Sequence, residues 1–175
     1  MKRLPHILIA FVPIFVGFVF VSALFALLSF PILLYIGAWG TLLIWGAVGY
    51  LFAKWKTPML YAILVANSIG IISVPLYAWQ LYTPPFGSPL YSSPLIAHLS
   101  QMFSLPTFSL TLRITQVLMP NSAWPALAVW RQVTSLVLMM LVFTAGFIAG
   151  RLISKLQLRK SPLPQDLENA NSHSV

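Results

Sequence analysis

The sequence contains no cysteine, and it contains very few charged residues of either sign. Without cysteine there can be no disulfide, no thiolate nucleophile and no thiolate-ligated zinc or iron–sulfur site. Charged residues make up 7% of the 175 residues and apolar residues 59%, whereas soluble domains carry about 25% charged residues. A water-soluble globule could not cover its surface with so few charges, so the composition predicts an integral membrane protein.

Acidic residues are the scarcest group, because the only two, Asp166 and Glu168, lie near the end of the chain. Proton-coupled carriers, carboxylate-lined cation pores, intramembrane aspartyl proteases and magnesium-dependent lipid transferases generally depend on carboxylates within the membrane domain. The three histidines, His6, His98 and His173, lie in separate regions and suggest no metal cluster. We therefore predict a non-enzymatic protein with no catalytic residue, no cofactor and no metal site.

Four apolar stretches are long enough to cross a bilayer as helices. Residues 7–53 carry no charge, and one helix of that length would be roughly 70 Å long, against a hydrocarbon core of roughly 30 Å. Pro31 is the natural turning point, because proline disfavours helix in the residue before it; a turn at residues 37–40 would leave the second span too short. The predicted fold is an all-α transmembrane bundle in residues 1–160, with spans at residues 7–29, 32–53, 58–80 and 125–150.

Basic residues predict how these spans are oriented, because lysine and arginine near span ends are retained on the cytoplasmic side. With both termini inside, only Arg113 and Arg131 lie towards the outer side, and the first span is retained rather than cleaved as a signal peptide. The remaining basic residues are cytoplasmic: Lys2, Arg3, Lys54, Lys56, Arg151, Lys155, Arg159 and Lys160. Because they flank apolar runs, the net charge of +8 predicts contact with anionic headgroups of a plasma or inner membrane, and not with nucleic acid.

The connection between the third and fourth spans, residues 81–120, is long enough to be a recognition surface. Residues 94–104 are predicted to form an interfacial amphipathic helix. Residues 107–115 alternate polar and apolar side chains, which favours a short strand, with a short helix as the alternative. Candidate recognition residues in this connection are His98, Gln101 and Arg113. The tail, residues 161–175, is predicted to be disordered.

Small residues spaced four apart predict close packing between helices, within the chain or at a subunit interface. The second span carries two glycine pairs on roughly opposite faces, so it is expected to lie centrally. The candidate packing residues are Gly37, Gly40, Gly46 and Gly49 in the second span, Ala66 and Gly70 in the third, and Gly146 and Gly150 in the fourth.

Polar residues inside the spans form the last candidate site. Asn67, Ser68 and Ser73 in the third span, together with Arg131 in the fourth, are candidates for a polar cavity. The simpler interpretation is that they bond to their own backbone or across helices; the alternative is an opened helix at a kink near Pro75.

The favoured function is an accessory or assembly subunit of a membrane complex, as a homo-oligomer or with other membrane subunits, recognising a partner through the long outer connection. The alternative is a small permease or channel subunit for a neutral or anionic solute. A lipid-modifying enzyme is a weaker third hypothesis, because a histidine base such as His98 would have no carboxylate to orient it.

Overall fold

The computed structural model describes residues 11–23, 31–82 and 101–160, and every regular element within them is helical. This confirms the all-α prediction. In chain order the elements are α1 (Val12–Ser22), α2 (Pro31–Lys54), α3 (Met59–Ala66), α4 (Ser68–Tyr82), a 3₁₀ turn (Leu105–Thr107), α5 (Phe108–Leu118) and α6 (Trp124–Lys160).

The described helices support two or three membrane crossings, where four were predicted. Ile32–Lys54 in α2 and Trp124–Gln157 in α6 are each long and apolar enough to span a membrane. Helices α3 and α4 reach that length only together, and they meet at an angle of 48°. Helix α1 has 11 residues and rises about 16 Å, roughly half of the hydrocarbon thickness. The rest of the predicted first span lies outside the described residues.

Helices α2 and α6 form the central pair and run in the same direction. Gly46 of α2 lies against Gly146 of α6, and further along Ala53 lies against Gly150. Because two parallel helices cannot be joined by a short turn, the chain has to return between them, and α3 with α4 provides that return. The buried core along this pair includes Trp45, Phe52, Met139, Phe143 and Phe147.

The bend of the third predicted span lies at Asn67, where the sequence suggested a kink at Pro75. Asn67 has φ −103° and ψ 9°, away from the usual α-helical values. Its backbone N–H still donates to the carbonyl of Ile63, and its own carbonyl accepts from the N–H of Ile71. Pro75 lies inside α4. The chain therefore turns at the asparagine while keeping its backbone hydrogen bonds, so α3 and α4 stay connected as one bent element.

The second half of the long connection packs into the bundle. Phe103 is 1% exposed and Thr107 is 0% exposed. The Phe103 ring lies beside Gly70 of α4, and the Ser109 hydroxyl donates to the backbone carbonyl of Leu34 in the first turn of α2 at 3.1 Å. The connection is thus held at the end of the bundle where α2 begins. Residues 83–100, which include most of the predicted amphipathic helix, lie outside the described residues.

The predicted strand at residues 107–115 is wrong, because Phe108–Leu118 is an α-helix. Threonines 107, 111 and 115 alternate with apolar residues, but they are also four residues apart. The hydroxyl of Thr111 donates to the carbonyl of Thr107 at 2.9 Å, and that of Thr115 donates to the carbonyl of Thr111 at 2.7 Å. These bonds satisfy the hydroxyls inside a helix, which removes the need for a paired strand.

Candidate functional site

A small pocket of about 110 Å³ lies between α4, α5 and the first two turns of α6. Its walls are mostly apolar and aromatic, with one cationic group. We call it the Arg131 pocket, and it is lined by Tyr77, Gln101, Phe108, Leu112, Trp124, Leu127, Ala128 and Arg131.

Arg131 is the chemically distinctive residue of this pocket. It is only 5% exposed, and its guanidinium carbon lies 4.7 Å from the centroid of the Phe108 ring, a cation–π arrangement. Its Nη1 atom is buried and has no hydrogen-bond partner. Since arginine stays protonated in proteins, the pocket holds a permanent positive charge with at least one free donor.

No carboxylate of the membrane domain can neutralise this charge, because residues 1–165 contain neither aspartate nor glutamate. Asp166 and Glu168 lie outside the described residues. The Tyr77 side chain hydrogen-bonds to the guanidinium but leaves Nη1 without a partner, and a buried cation without a counter-charge is costly. The site is therefore suited to an anionic group that comes from outside these 165 residues.

A polar seam between α5 and α6 fixes the geometry of the pocket. The hydroxyl oxygens of Thr107 and Ser135 are 2.7 Å apart, and those of Thr115 and Thr134 are 3.2 Å apart. Thr107 and Thr115 are separated by about 12 Å of helix rise, yet their partners are neighbours on α6. Helix α5 therefore crosses α6 instead of running beside it, and this crossing places Phe108 over the guanidinium.

The structure separates the four residues of the candidate polar cavity. Asn67 is 0% exposed; its side-chain oxygen accepts a hydrogen bond from the Trp45 indole at 3.1 Å, and its side-chain amide donates to the Ile63 carbonyl of α3 at 2.9 Å. The Ser68 hydroxyl donates to the Val65 carbonyl in α3 at 2.9 Å, and the Ser73 hydroxyl donates to the Gly70 carbonyl in its own helix, α4, at 3.0 Å. None of these three polar residues lines the pocket that holds Arg131.

Candidate packing glycines of α2 contact two different helices. Gly37 faces the ring of Phe20 on α1, whereas Gly49 faces the backbone of α6 at Phe143. Helix α2 therefore lies between α1 and α6. The other candidates are Gly46, against Val142; Gly146, against the Gly46 carbonyl; Gly150, against Tyr50 and Ala53; Gly70, against Phe103; Ala66, fully buried; and Gly40, with no atom within 4 Å.

The three candidate recognition residues have different positions. Gln101 lines the Arg131 pocket, and Arg113 is exposed on α5. His98 lies outside the described residues. Phe108 is not among the predicted site residues, because the strand interpretation missed the four-residue helical spacing that places Phe108 and Leu112 on one side of α5.

Comparison of the chain with protein-family models, with curated proteins and with solved structures finds no match.

Proposed function

We propose that this chain is a non-enzymatic membrane subunit that joins a larger complex, with further copies of itself or with other membrane proteins. The observation that carries the proposal is that one side of α5 is buried against the bundle while the other side is exposed. Thr111 and Thr115 are buried against the bundle, whereas Val117 is 80% and Leu118 69% exposed, with Arg113 also exposed.

A helix held in this way suits recognition. The bond from Ser109 to Leu34 and the contact between Thr107 and Ser135 tie α5 to both central helices. A surface that is already ordered loses little conformational entropy on binding. Arginine is enriched on the surfaces that partners bury, and the centres of such surfaces are apolar.

The orientation with both termini in the cytoplasm remains part of the proposal. Its support is that the charged ends of α2 and α6 lie together, because Ala53 contacts Gly150 and Arg151 Nη2 donates to the Thr57 carbonyl at 2.8 Å. Lys54 directly follows Ala53 on α2. A cluster of basic residues at one end of a bundle favours the cytoplasmic side, so we propose that the end of α6 is cytoplasmic and α5 lies on the outer side. A cytoplasmic N-terminus further requires a crossing before α2, as in the four-span prediction.

Photo-cross-linking in native membranes tests the proposal. A photo-reactive amino acid at Val117 should give a discrete protein adduct, while the same probe at Ile148, which is 47% exposed on α6, serves as the control and should label lipid only. Arg113→Glu should reduce the adduct at position 117. If both probes gave only lipid adducts, and the chain migrated alone after mild solubilisation, the proposed assembly role would be wrong.

The second candidate function is a small permease or channel subunit for an anionic solute, and the buried charge of Arg131 favours it. Against it, the side chains of Asn67, Ser68 and Ser73 bond to backbone carbonyls and, for Asn67, to Trp45, which leaves them poorly placed to line a path. Liposome flux measurements separate the two functions. Solute-dependent flux that Arg131→Gln abolishes would favour the permease over the assembly subunit.

A further inference from the structure

We propose that the Arg131 pocket binds the phosphate group of a membrane lipid, in the leaflet that lies next to the start of α6. This goes beyond the assembly role and does not rest on it, because the pocket and the exposed side of α5 involve different side chains.

The chemistry of the ligand follows from the guanidinium. Its planar donors fit the oxygens of phosphate or carboxylate groups, which can accept two parallel hydrogen bonds. Nη1 is buried at the pocket with no acceptor, and residues 1–165 hold no carboxylate that could reach it. An oxyanion from outside this part of the chain would supply both the missing acceptor and the missing negative charge.

The depth of Arg131 in the bundle points to a lipid headgroup. No charged residue lies between Arg131 and Arg151, and 20 residues of continuous helix rise about 30 Å, the thickness of the hydrocarbon core. Arg151 is bonded to the Thr57 carbonyl at the opposite end of the bundle. Trp124 and Trp130, 67% and 47% exposed, flank Arg131 as interfacial aromatics do. Arg131 therefore lies at the level where lipid phosphates meet the hydrocarbon.

The walls of the pocket favour a lipid over a free anion. The pocket volume of about 110 Å³ is several times the volume of about 30 Å³ that a water molecule occupies in the liquid, so a phosphate group fits. Leu112, Leu127 and Ala128 form apolar walls. A hydrated free anion would lose its water against these walls, whereas the glycerol and acyl carbons attached to a lipid phosphate pack against them favourably.

Native mass spectrometry of the full chain, purified in detergent, tests the proposal with two matched lipids. Phosphatidylglycerol and a diacylglycerol with the same acyl chains differ in the phosphate-bearing headgroup. The wild-type protein should retain one phosphatidylglycerol at least about tenfold more tightly than the diacylglycerol, since a hydrogen bond to a charged group contributes roughly that factor.

Variants then assign the binding to this pocket. Arg131→Gln should lose that preference, Arg131→Lys should keep part of it, and Arg113→Gln, which removes the same charge from an exposed position, should behave as the wild type. Equal retention of both lipids by the wild type would overturn the proposal, even if Arg131→Gln did not fold. Unchanged lipid binding by a folded Arg131→Gln variant would also overturn it. The same holds if the protein binds inorganic phosphate but retains no lipid, or if a polypeptide occupies the pocket in place of lipid.

Discussion

Replacing Gly49 by alanine tests the closest contact in the bundle, the one between α2 and α6. A Cβ atom at this position would overlap the carbonyl oxygen of Phe143 and lie 3.0 Å from its carbonyl carbon and 3.1 Å from the backbone nitrogen of Phe147. These are backbone atoms, which cannot rotate out of the way. Since non-bonded heavy atoms pack best at about 3.5 to 4.0 Å, the two helices would have to separate by about 1 Å.

A control variant on the same helix separates the cost of overpacking from the gain in helix propensity. Gly40 has no atom within 4 Å of an added Cβ, so Gly40→Ala gains only the helix propensity of alanine, up to about 1 kcal/mol. Gly49→Ala gains the same propensity but suffers overpacking of about 1–3 kcal/mol. The propensity cancels in the comparison, so Gly49→Ala should be about 1–3 kcal/mol less stable than Gly40→Ala. Gly46→Ala, whose nearest neighbour is a Val142 side-chain atom at 3.5 Å, should resemble Gly40→Ala.

The assay is reversible unfolding in mixed detergent micelles, followed by tryptophan fluorescence and circular dichroism. The three single variants should give two groups, with Gly49→Ala unfolding at a lower denaturant concentration than Gly40→Ala and Gly46→Ala. If all three unfolded together, the close approach of α2 and α6 would not exist in the folded protein, and the parallel arrangement built on it would have to be abandoned.

Three further predictions use the same purified protein. Asn67→Leu should destabilise the fold by about 1–3 kcal/mol, because it leaves the buried Trp45 indole without its acceptor; in a Trp45→Phe background the cost should be smaller, and equal costs would show that the pair does not interact. Thr107→Val should cost about 1 kcal/mol through the loss of its hydroxyl contact with α6 and should speed hydrogen exchange in α5; unchanged exchange would contradict the seam. Because the chain has no cysteine, single cysteines can report the orientation: in sealed cells a membrane-impermeant thiol reagent should label a cysteine at Val117, and should label one at Leu156 only after permeabilisation. The reverse pattern, or labelling of both in sealed cells, would refute the orientation.

The helical class could be predicted from the sequence because long uncharged stretches can satisfy their backbone groups in lipid only as helices or closed barrels. The start of α2 also followed from local chemistry, since Pro31 is the first residue of that helix. The bend at Asn67 did not. Proline indicates a possible kink because it has no backbone N–H to donate. The bend at Asn67 instead accompanies a hydrogen bond from the Trp45 indole, 22 residues away in the sequence. No local sequence pattern reports such a bond.

The site could be predicted only in part, for a related reason. Arg131 is visible in the sequence as a charge in an apolar span, but its pocket depends on Phe108 and Tyr77, which lie on two other helices. Threonines at 107, 111 and 115 satisfy both a two-residue and a four-residue period. In the helix the Thr111 and Thr115 hydroxyls bond to carbonyls four residues earlier, and Thr107 and Thr115 also contact Ser135 and Thr134 of α6. The contacts with α6 are tertiary, so no local pattern reports them.

The position of α5 affects both the Arg131 pocket and the exposed side of α5. Phe108 is the first residue of this helix, and its ring lies over the guanidinium of Arg131. A lipid phosphate bound to Arg131 would stabilise the arrangement in which Phe108 lies over the charge, and the same arrangement presents Val117 and Arg113 to a partner. By thermodynamic reciprocity, a partner that prefers this position of α5 must then strengthen lipid binding by the same factor as lipid strengthens the partner's binding. Removing lipid should therefore increase hydrogen exchange within α5 and leave the central part of α2 unchanged. Equal exchange in α5 with and without phosphatidylglycerol would show that the two surfaces act independently.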